Sequence, residues 1–188
     1  MNNVIDFINV NRERYLDELK ALLAIPSISA LPEHAPDVRR CAEWCADEMR
    51  RVGLQGVELI ETPGNPVVYG EWKGAEGAPT ILFYGHYDVQ PVDPLDLWTT
   101  PPFEATVRDG EIYARGAADD KGQVFMHLKA IEAHIKQNGR LPVNIKIILE
   151  GEEEVGSVNL DNFVKANREK LAADVVVIVT NHDAVDYT

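Results

Sequence analysis

Residues 81–90 read ILFYGHYDVQ. The first four are continuously apolar, which predicts a central strand of a sheet that is covered on both faces. Gly85 ends this run, and the chain then places His86 and Asp88 two residues apart. Because alternate residues of an extended chain share a face, we expect the imidazole and the carboxylate to point the same way. Ligands of α/β sheets bind beyond the carboxyl ends of strands, so this stretch predicts a functional site.

The segments around this strand predict an α/β domain. From residue 80 onward the order is strand, hairpin, helix, strand, helix and strand, with the hairpin turn at Asp109–Gly110. Strands that alternate with helices imply right-handed crossovers, and hence a mainly parallel, mixed sheet flanked by helices. Two alternating strands, VELIET and PVVYGEWKG, precede it. The predicted helices cover residues 4–24, 37–52, 120–137 and 158–171.

The composition narrows the choice of partners. The chain has 188 residues, 45% of them hydrophobic, which is enough for one globular domain with a sizeable core. Its net charge of −13 disfavours nucleic acid and acidic membrane surfaces as partners. We find neither a signal-peptide pattern at the start nor an apolar run that could span a bilayer, so we expect a soluble, cytoplasmic protein. Cys41 and Cys45 are expected to be ordinary thiols, neither ligands nor a disulfide.

Two acidic clusters are predicted to share the sheet edge with His86. They are RGAADDKG at residues 115–122 and EGEEEVGS at residues 150–157. Taken singly, each of the three groups has an ordinary explanation. His86 is explained as a strand-end histidine, Asp119 or Asp120 as a helix cap, and the glutamates as a solvated acidic turn. Three such clusters on one edge favour a site.

The chemistry of these groups favours divalent metals. Crowded carboxylates repel one another and their pKa values rise, unless cations neutralise them. Two divalent ions about 3.5–4 Å apart remove this cost and activate a water molecule. Magnesium prefers oxygen ligands alone, so the histidine favours zinc, with manganese or cobalt as alternatives.

Three motifs together resemble a known family. HYDVQP, RGAADDKG and EGEEEVGS are similar to the zinc exopeptidases that include carnosinase-like dipeptidases, glutamate carboxypeptidase, aminoacylase and succinyl-diaminopimelate desuccinylase. IPSIS at residues 25–29 and the stretch at residues 98–116 strengthen the resemblance, which runs over residues 4–178. HYDVQP, rather than a histidine followed by Thr-Asp, favours the dipeptidase branch. The resemblance implies a zinc-peptidase-like catalytic domain.

The resemblance also implies a role for each matching residue. His86 would bind one metal, and Asp88 would orient its imidazole. Asp119 would bridge two zinc ions, and Glu154 would bind the second. Glu153 would be the general base that activates water for hydrolysis of a dipeptide or an N-acyl amino acid.

Two further features follow from the same resemblance. Glu152 falls at a position that is not a ligand in the family. The peptide bond that follows the bridging aspartate is cis in the family, which here is the bond between Asp119 and Asp120.

Residues 179–188 depart from the family pattern. The family has Ser-Asp after the strand that resembles DVVVIV, and that aspartate binds the metal held by the histidine. Thr180 occupies about this place here, and Asp183 or His182 are alternative ligands. The family's lid or dimerisation domain and its final histidine ligand have no counterpart in the chain, so we expect a truncated catalytic domain.

Two functions therefore stay open. The chain is either the amino-terminal part of a di-zinc dipeptidase, or a non-catalytic module with an incomplete metal site. Loss of the remaining domain would bare apolar surface or a strand edge, which favours self-association or pairing with a complementary carboxyl-terminal fragment.

Overall fold

The computed structural model describes residues 2–179. In this range the helices are α1 (Asn2–Val10), α2 (Arg12–Leu23), α3 (Ala35–Val52), α4 (Lys121–Asn138), α5 (Leu160–Ala166) and α6 (Arg168–Leu171). The strands of the same range are β1 (Gln55–Ile60), β2 (Val67–Trp72), β3 (Thr80–His86), β4 (Thr106–Arg108), β5 (Glu111–Tyr113), β6 (Asn144–Glu150) and β7 (Val175–Ile178). Within residues 2–179, no helix is a candidate for spanning a bilayer.

The main sheet has five strands in the order β1-β2-β6-β3-β7. β3 lies parallel to both β6 and β7, whereas β2 lies antiparallel to β1 and β6. The predicted α/β class with a mixed sheet is therefore confirmed. β4 and β5 form a separate hairpin, and its turn residues Asp109 and Gly110 adopt the positive φ angles of 52° and 87° that such a turn requires.

Both faces of the sheet are covered. The larger core lies between the sheet and α1–α4, and its buried side chains include Leu22, Met49, Val68 and Leu149. The smaller core lies on the opposite face under α5 and α6, around residues such as Leu82 and Phe163. Coverage on both faces explains why the central strand β3 is a continuous apolar run rather than an alternating one.

Two predicted helices are each interrupted, and this corrects the sequence analysis. The helix predicted over residues 4–24 breaks at Asn11, and the one predicted over 158–171 breaks at Asn167. In both cases the asparagine amide donates to the carbonyl four residues earlier, Phe7 O at 2.8 Å and Phe163 O at 2.9 Å. A side chain that bonds to the backbone in this way competes with the helical hydrogen bonds and permits a break.

A buried ion cluster joins three of the helices. Lys129 of α4 places its ammonium group among the carboxylates of Glu18 on α2, Glu48 on α3 and Glu132 on α4. Arg14 pairs with Glu132 and Arg51 with Glu48, and these two arginines complete a cluster of six residues. Although the three carboxylates approach one another closely, the ammonium group among them supplies the compensating charge.

β7 differs from the other strands of the main sheet in its exposure. It is one of the two edge strands of the main sheet within the described residues, the other being β1, and its apolar residues Val175, Val176 and Ile178 are 50%, 58% and 64% exposed. An edge strand with apolar side chains and unpaired backbone groups is a template for pairing with another chain.

Candidate metal centre

The end of β3 places its side chains alternately in the site and in the core. His86 and Asp88 are 1% and 0% exposed, and the imidazole Nδ1 lies 3.3 Å from Asp88 Oδ1. Between them, Tyr87 points into the core and donates its hydroxyl hydrogen to Pro66 O at 2.6 Å. Val89 is again buried. The imidazole and the carboxylate thus point the same way, as the sequence analysis predicts.

The second segment brings Asp119 to the other side of the imidazole. Asp119 Oδ1 lies 3.1 Å from His86 Nε2, and the carboxylate is half exposed. The peptide bond between Asp119 and Asp120 is cis, as the family resemblance implies.

Asp120 corrects the capping interpretation of this segment. It stands at the N-cap position of α4, yet its side chain makes no capping hydrogen bond. Instead Oδ2 accepts the backbone N–H of His86 at 3.0 Å, while Oδ1 is buried without a partner. Gly85 makes room for this contact, because a Cβ at that position would lie 2.7 Å from Asp120 Oδ2. The buried carboxylate therefore supports the backbone of His86 rather than the helix.

The third segment follows β6 and contributes two carboxylates. Glu153 and Glu154 lie in a short 3₁₀ turn, and Glu153 Oε2 is 3.9 Å from His86 Nε2. A ring nitrogen of His86 and one carboxylate oxygen from each of Glu153 and Glu154 lie within 4.8 Å of one another. Glu152 turns away and accepts two hydrogen bonds from the Asn159 amide at 3.0 and 2.9 Å. The three adjacent glutamates thus take different directions.

The site concentrates negative charge around one imidazole. Burial disfavours the charged form of His86, but hydrogen bonds to Asp119 and Asp88 outweigh it and raise its pKa to about 11. Burial raises the pKa of Asp120 to about 7. Burial and repulsion from Asp119 raise the pKa of Glu154, against the hydrogen bond from Gln90. The raised pKa values of Asp120 and Glu154 are those of buried carboxyl groups with too little positive charge beside them.

This donor set fits a divalent metal. An imidazole nitrogen and several carboxylate oxygens are ligands that zinc accepts, and manganese and cobalt take the same set. The structure brings together all five residues that the sequence analysis selected: His86, Asp88, Asp119, Glu153 and Glu154. Thr180, which stands about where the family has a ligand, and the alternative ligands His182 and Asp183 all lie outside the described residues.

Two contributors were missed by the sequence analysis. Gln90 donates its amide to Glu154 Oε2 at 2.6 Å. Ser29 donates its hydroxyl hydrogen to Asp88 Oδ2 at 2.6 Å. Both lie within the stretches that carried the family resemblance, HYDVQP and IPSIS, and this was the only signal available for them.

Comparison with known proteins gives a consistent result. The model of the peptidase family M20/M25/M40 matches residues 82–186. The chain is 38% identical to the cysteinylglycine-S-conjugate dipeptidase of Corynebacterium striatum, over 89% of this chain and 37% of that protein. It is 33% identical to the beta-Ala-His dipeptidase of Homo sapiens, over 95% of this chain and 38% of that protein.

Solved structures agree with the sequence relatives. Human carnosine dipeptidase 1 superimposes with a TM-score of 0.90 and 34% identity, over 96% of this chain and 41% of that chain. The dipeptidase Dug1p of Saccharomyces cerevisiae superimposes with a TM-score of 0.88 and 26% identity, with the same coverage. The chain therefore spans about 40% of the length of the proteins that it matches.

Proposed function

Because this chain belongs to peptidase family M20/M25/M40, we propose that it carries the metal-binding half of a dipeptidase-type active site. The observation that carries the proposal is the convergence of His86 Nε2 with the carboxylates of Asp119, Glu153 and Glu154. The four residues come from three different segments, and all meet beyond the carboxyl ends of β3 and β6, where α/β sheets hold their ligands.

We assign the metal contacts as follows. His86 and Asp119 hold one divalent ion, Asp119 and Glu154 hold a second, and Asp88 orients the imidazole. Zinc suits this set best, with manganese and cobalt as alternatives. Each ion receives two protein ligands from these residues, whereas a catalytic zinc ordinarily has three. Further ligands would have to come from residues outside 2–179 or from another chain.

Bound divalent ions would polarise the scissile carbonyl and lower the pKa of water. Glu153 lies beside the imidazole without serving as a ligand in this assignment, and its carboxylate is partly exposed. It takes the proton from the attacking water and returns it to the leaving amine, which completes hydrolysis of the amide. Several relatives are named for Cys-Gly and beta-Ala-His dipeptides, so we propose dipeptides as substrates, with N-acyl amino acids as an alternative class.

The test combines zinc calorimetry with hydrolysis of Cys-Gly and beta-Ala-His. We expect zinc binding by the parent protein, no binding in Asp119→Ala, and binding without hydrolysis in Glu153→Gln. Glu152→Gln is the matched control, since its side chain faces Asn159 rather than the site. Equal hydrolysis by the Glu153→Gln variant and the parent would remove Glu153 from the reaction.

A second function is favoured by the exposed apolar strand β7. We propose that the chain associates through this edge, either with itself or with a complementary carboxyl-terminal fragment. A chain that binds zinc but hydrolyses neither dipeptide would fit a non-catalytic module of this kind. Analytical ultracentrifugation measures the association, and Val176→Lys should reduce it. If the parent protein stays monomeric at high concentration and does not bind such a fragment, the proposal is contradicted.

A further inference from the structure

The loop that follows α2 runs beside the segment that ends β3. Ile28 forms a parallel bridge with Val89, and Ser27 O accepts the Val89 N–H at 3.0 Å. This pairing brings the Ser29 hydroxyl to 2.6 Å from Asp88 Oδ2. A residue 59 positions earlier in the chain thus contacts the carboxylate beside the proposed ligand.

The Asp88 carboxylate uses its two oxygens for different partners. Oδ1 lies 3.3 Å from His86 Nδ1. Oδ2 accepts the Ser29 hydroxyl and, at 3.1 Å, the backbone N–H of Glu154. With Oδ2 held by two donors, the carboxylate plane is fixed and Oδ1 faces the imidazole. Nδ1 also lies 3.1 Å from the backbone carbonyl oxygen of Asp88, which is its hydrogen-bond partner, while the buried Oδ1 makes no hydrogen bond of its own. The carboxylate therefore packs beside the Nδ1 edge of the ring and leaves Nε2 for the ligand position.

On the basis of the proposed metal site, we propose that Ser29 is a positioning residue of this centre. Its hydroxyl fixes the Asp88 carboxylate against the imidazole, which sets the ring orientation of His86. Without the hydroxyl, Oδ2 keeps only the Glu154 N–H and the buried carboxylate can turn away from the ring. Loss of an outer hydrogen bond of this kind weakens metal binding by about 10- to 100-fold.

The experiment compares two neighbouring serines. Ser29→Ala removes the hydroxyl that bonds to Asp88. Ser27→Ala is the matched control, because Ser27 is fully buried and donates its hydroxyl to the backbone carbonyl of Tyr87 at 2.7 Å. Ser29→Thr restores a hydroxyl at the same position. Three measurements are made on each protein: zinc calorimetry, urea unfolding, and the ring ¹H–¹⁵N signals of His86 without metal.

We expect Ser29→Ala to bind zinc at least about 10-fold more weakly and to shift the His86 ring signals. Ser27→Ala should lower stability but change neither the zinc affinity nor the His86 ring signals. Ser29→Thr should recover most of the zinc affinity. Equal effects of the two alanine variants on affinity and ring signals would overturn the proposal. If the parent binds no zinc, the proposed metal site fails, and the ring signals decide alone: a shift confined to Ser29→Ala supports the positioning role, and no shift overturns it.

Discussion

Replacing Lys129 with methionine tests the buried ion cluster. The ammonium group is surrounded by the carboxylates of Glu18, Glu48 and Glu132. The Glu48 and Glu132 side chains are only 5% and 4% exposed, so water cannot replace the lost partner. Breaking a buried ion pair from one side costs about 3–5 kcal/mol, because the remaining charge stays buried without compensation.

The two arginines of the cluster reduce this cost. Arg51 lies 2.6 Å from Glu48, and Arg14 lies 2.8 Å from Glu132. Both continue to neutralise carboxylates after the lysine is removed. We therefore expect Lys129→Met to lower the free energy of unfolding by about 3 kcal/mol, at the lower end of that range.

Equilibrium urea unfolding at neutral pH measures the effect. The exposed pair Lys165–Asp161, 71% and 73% exposed, provides the control, and Lys165→Met should cost less than about 0.5 kcal/mol. Adding Glu48→Gln to Lys129→Met should recover about 1–2 kcal/mol, because the two arginines then face two carboxylates instead of three and the excess negative charge is gone. A loss below about 1 kcal/mol in Lys129→Met would refute the reasoning, since it would mean that these carboxylates do not need the ammonium group.

Three further predictions concern the site and the pH dependence. Gly85→Ala places a Cβ 2.7 Å from Asp120 Oδ2, so we expect urea unfolding to reveal a loss of about 1–3 kcal/mol; an unchanged midpoint would contradict the close approach. Zinc at about 100 times its dissociation constant should raise the free energy of unfolding by about 2.7 kcal/mol; a thermal shift of the same size in Asp119→Ala would assign the effect to another site. Burial opposes ionisation of Glu18, but hydrogen bonding to Lys129 and the neighbouring arginine outweighs it and lowers its pKa. Its contribution is thus present above the ordinary pKa and lost as the pH falls through the folded one. The parent should therefore lose more stability than Glu18→Gln below about pH 4.5, and parallel unfolding curves for the two would argue against it.

The sequence predicted the class of the fold and the location of the site because both depend on local patterns. The apolar run of β3 identifies a central strand, and the two-residue spacing of His86 and Asp88 places both groups on one face. Parallel strands end at the same edge, which brings Glu153 and Glu154 towards them from β6.

Other features depend on contacts that no local pattern records. Lys129 and Glu48 are charged residues on amphipathic helices, and only the packing of α2, α3 and α4 makes them buried partners. The contact between Ser29 and Asp88 joins distant segments. The helix break at Asn11 depends on one side-chain hydrogen bond, which the hydrophobic periodicity does not contain.

Several expectations stay predictions. They are the domain boundary at residue 178, the cytoplasmic location, the identity and number of the metal ions, and the role of each site residue. The family and the mixed α/β fold are confirmed by the comparisons and the structure.

The alternation at residues 86–89 has an evolutionary consequence. Odd-numbered positions here fill the core and even-numbered ones line the candidate metal centre, so we expect a single stretch of chain to be under two independent selections. Side chains in it can be exchanged one at a time, but the length of the stretch cannot change. Insertion or deletion of one codon would exchange the two sets, directing a phenol towards the candidate metal centre and an imidazole into the apolar interior. We therefore expect related proteins to vary in loop lengths elsewhere while keeping this spacing unchanged.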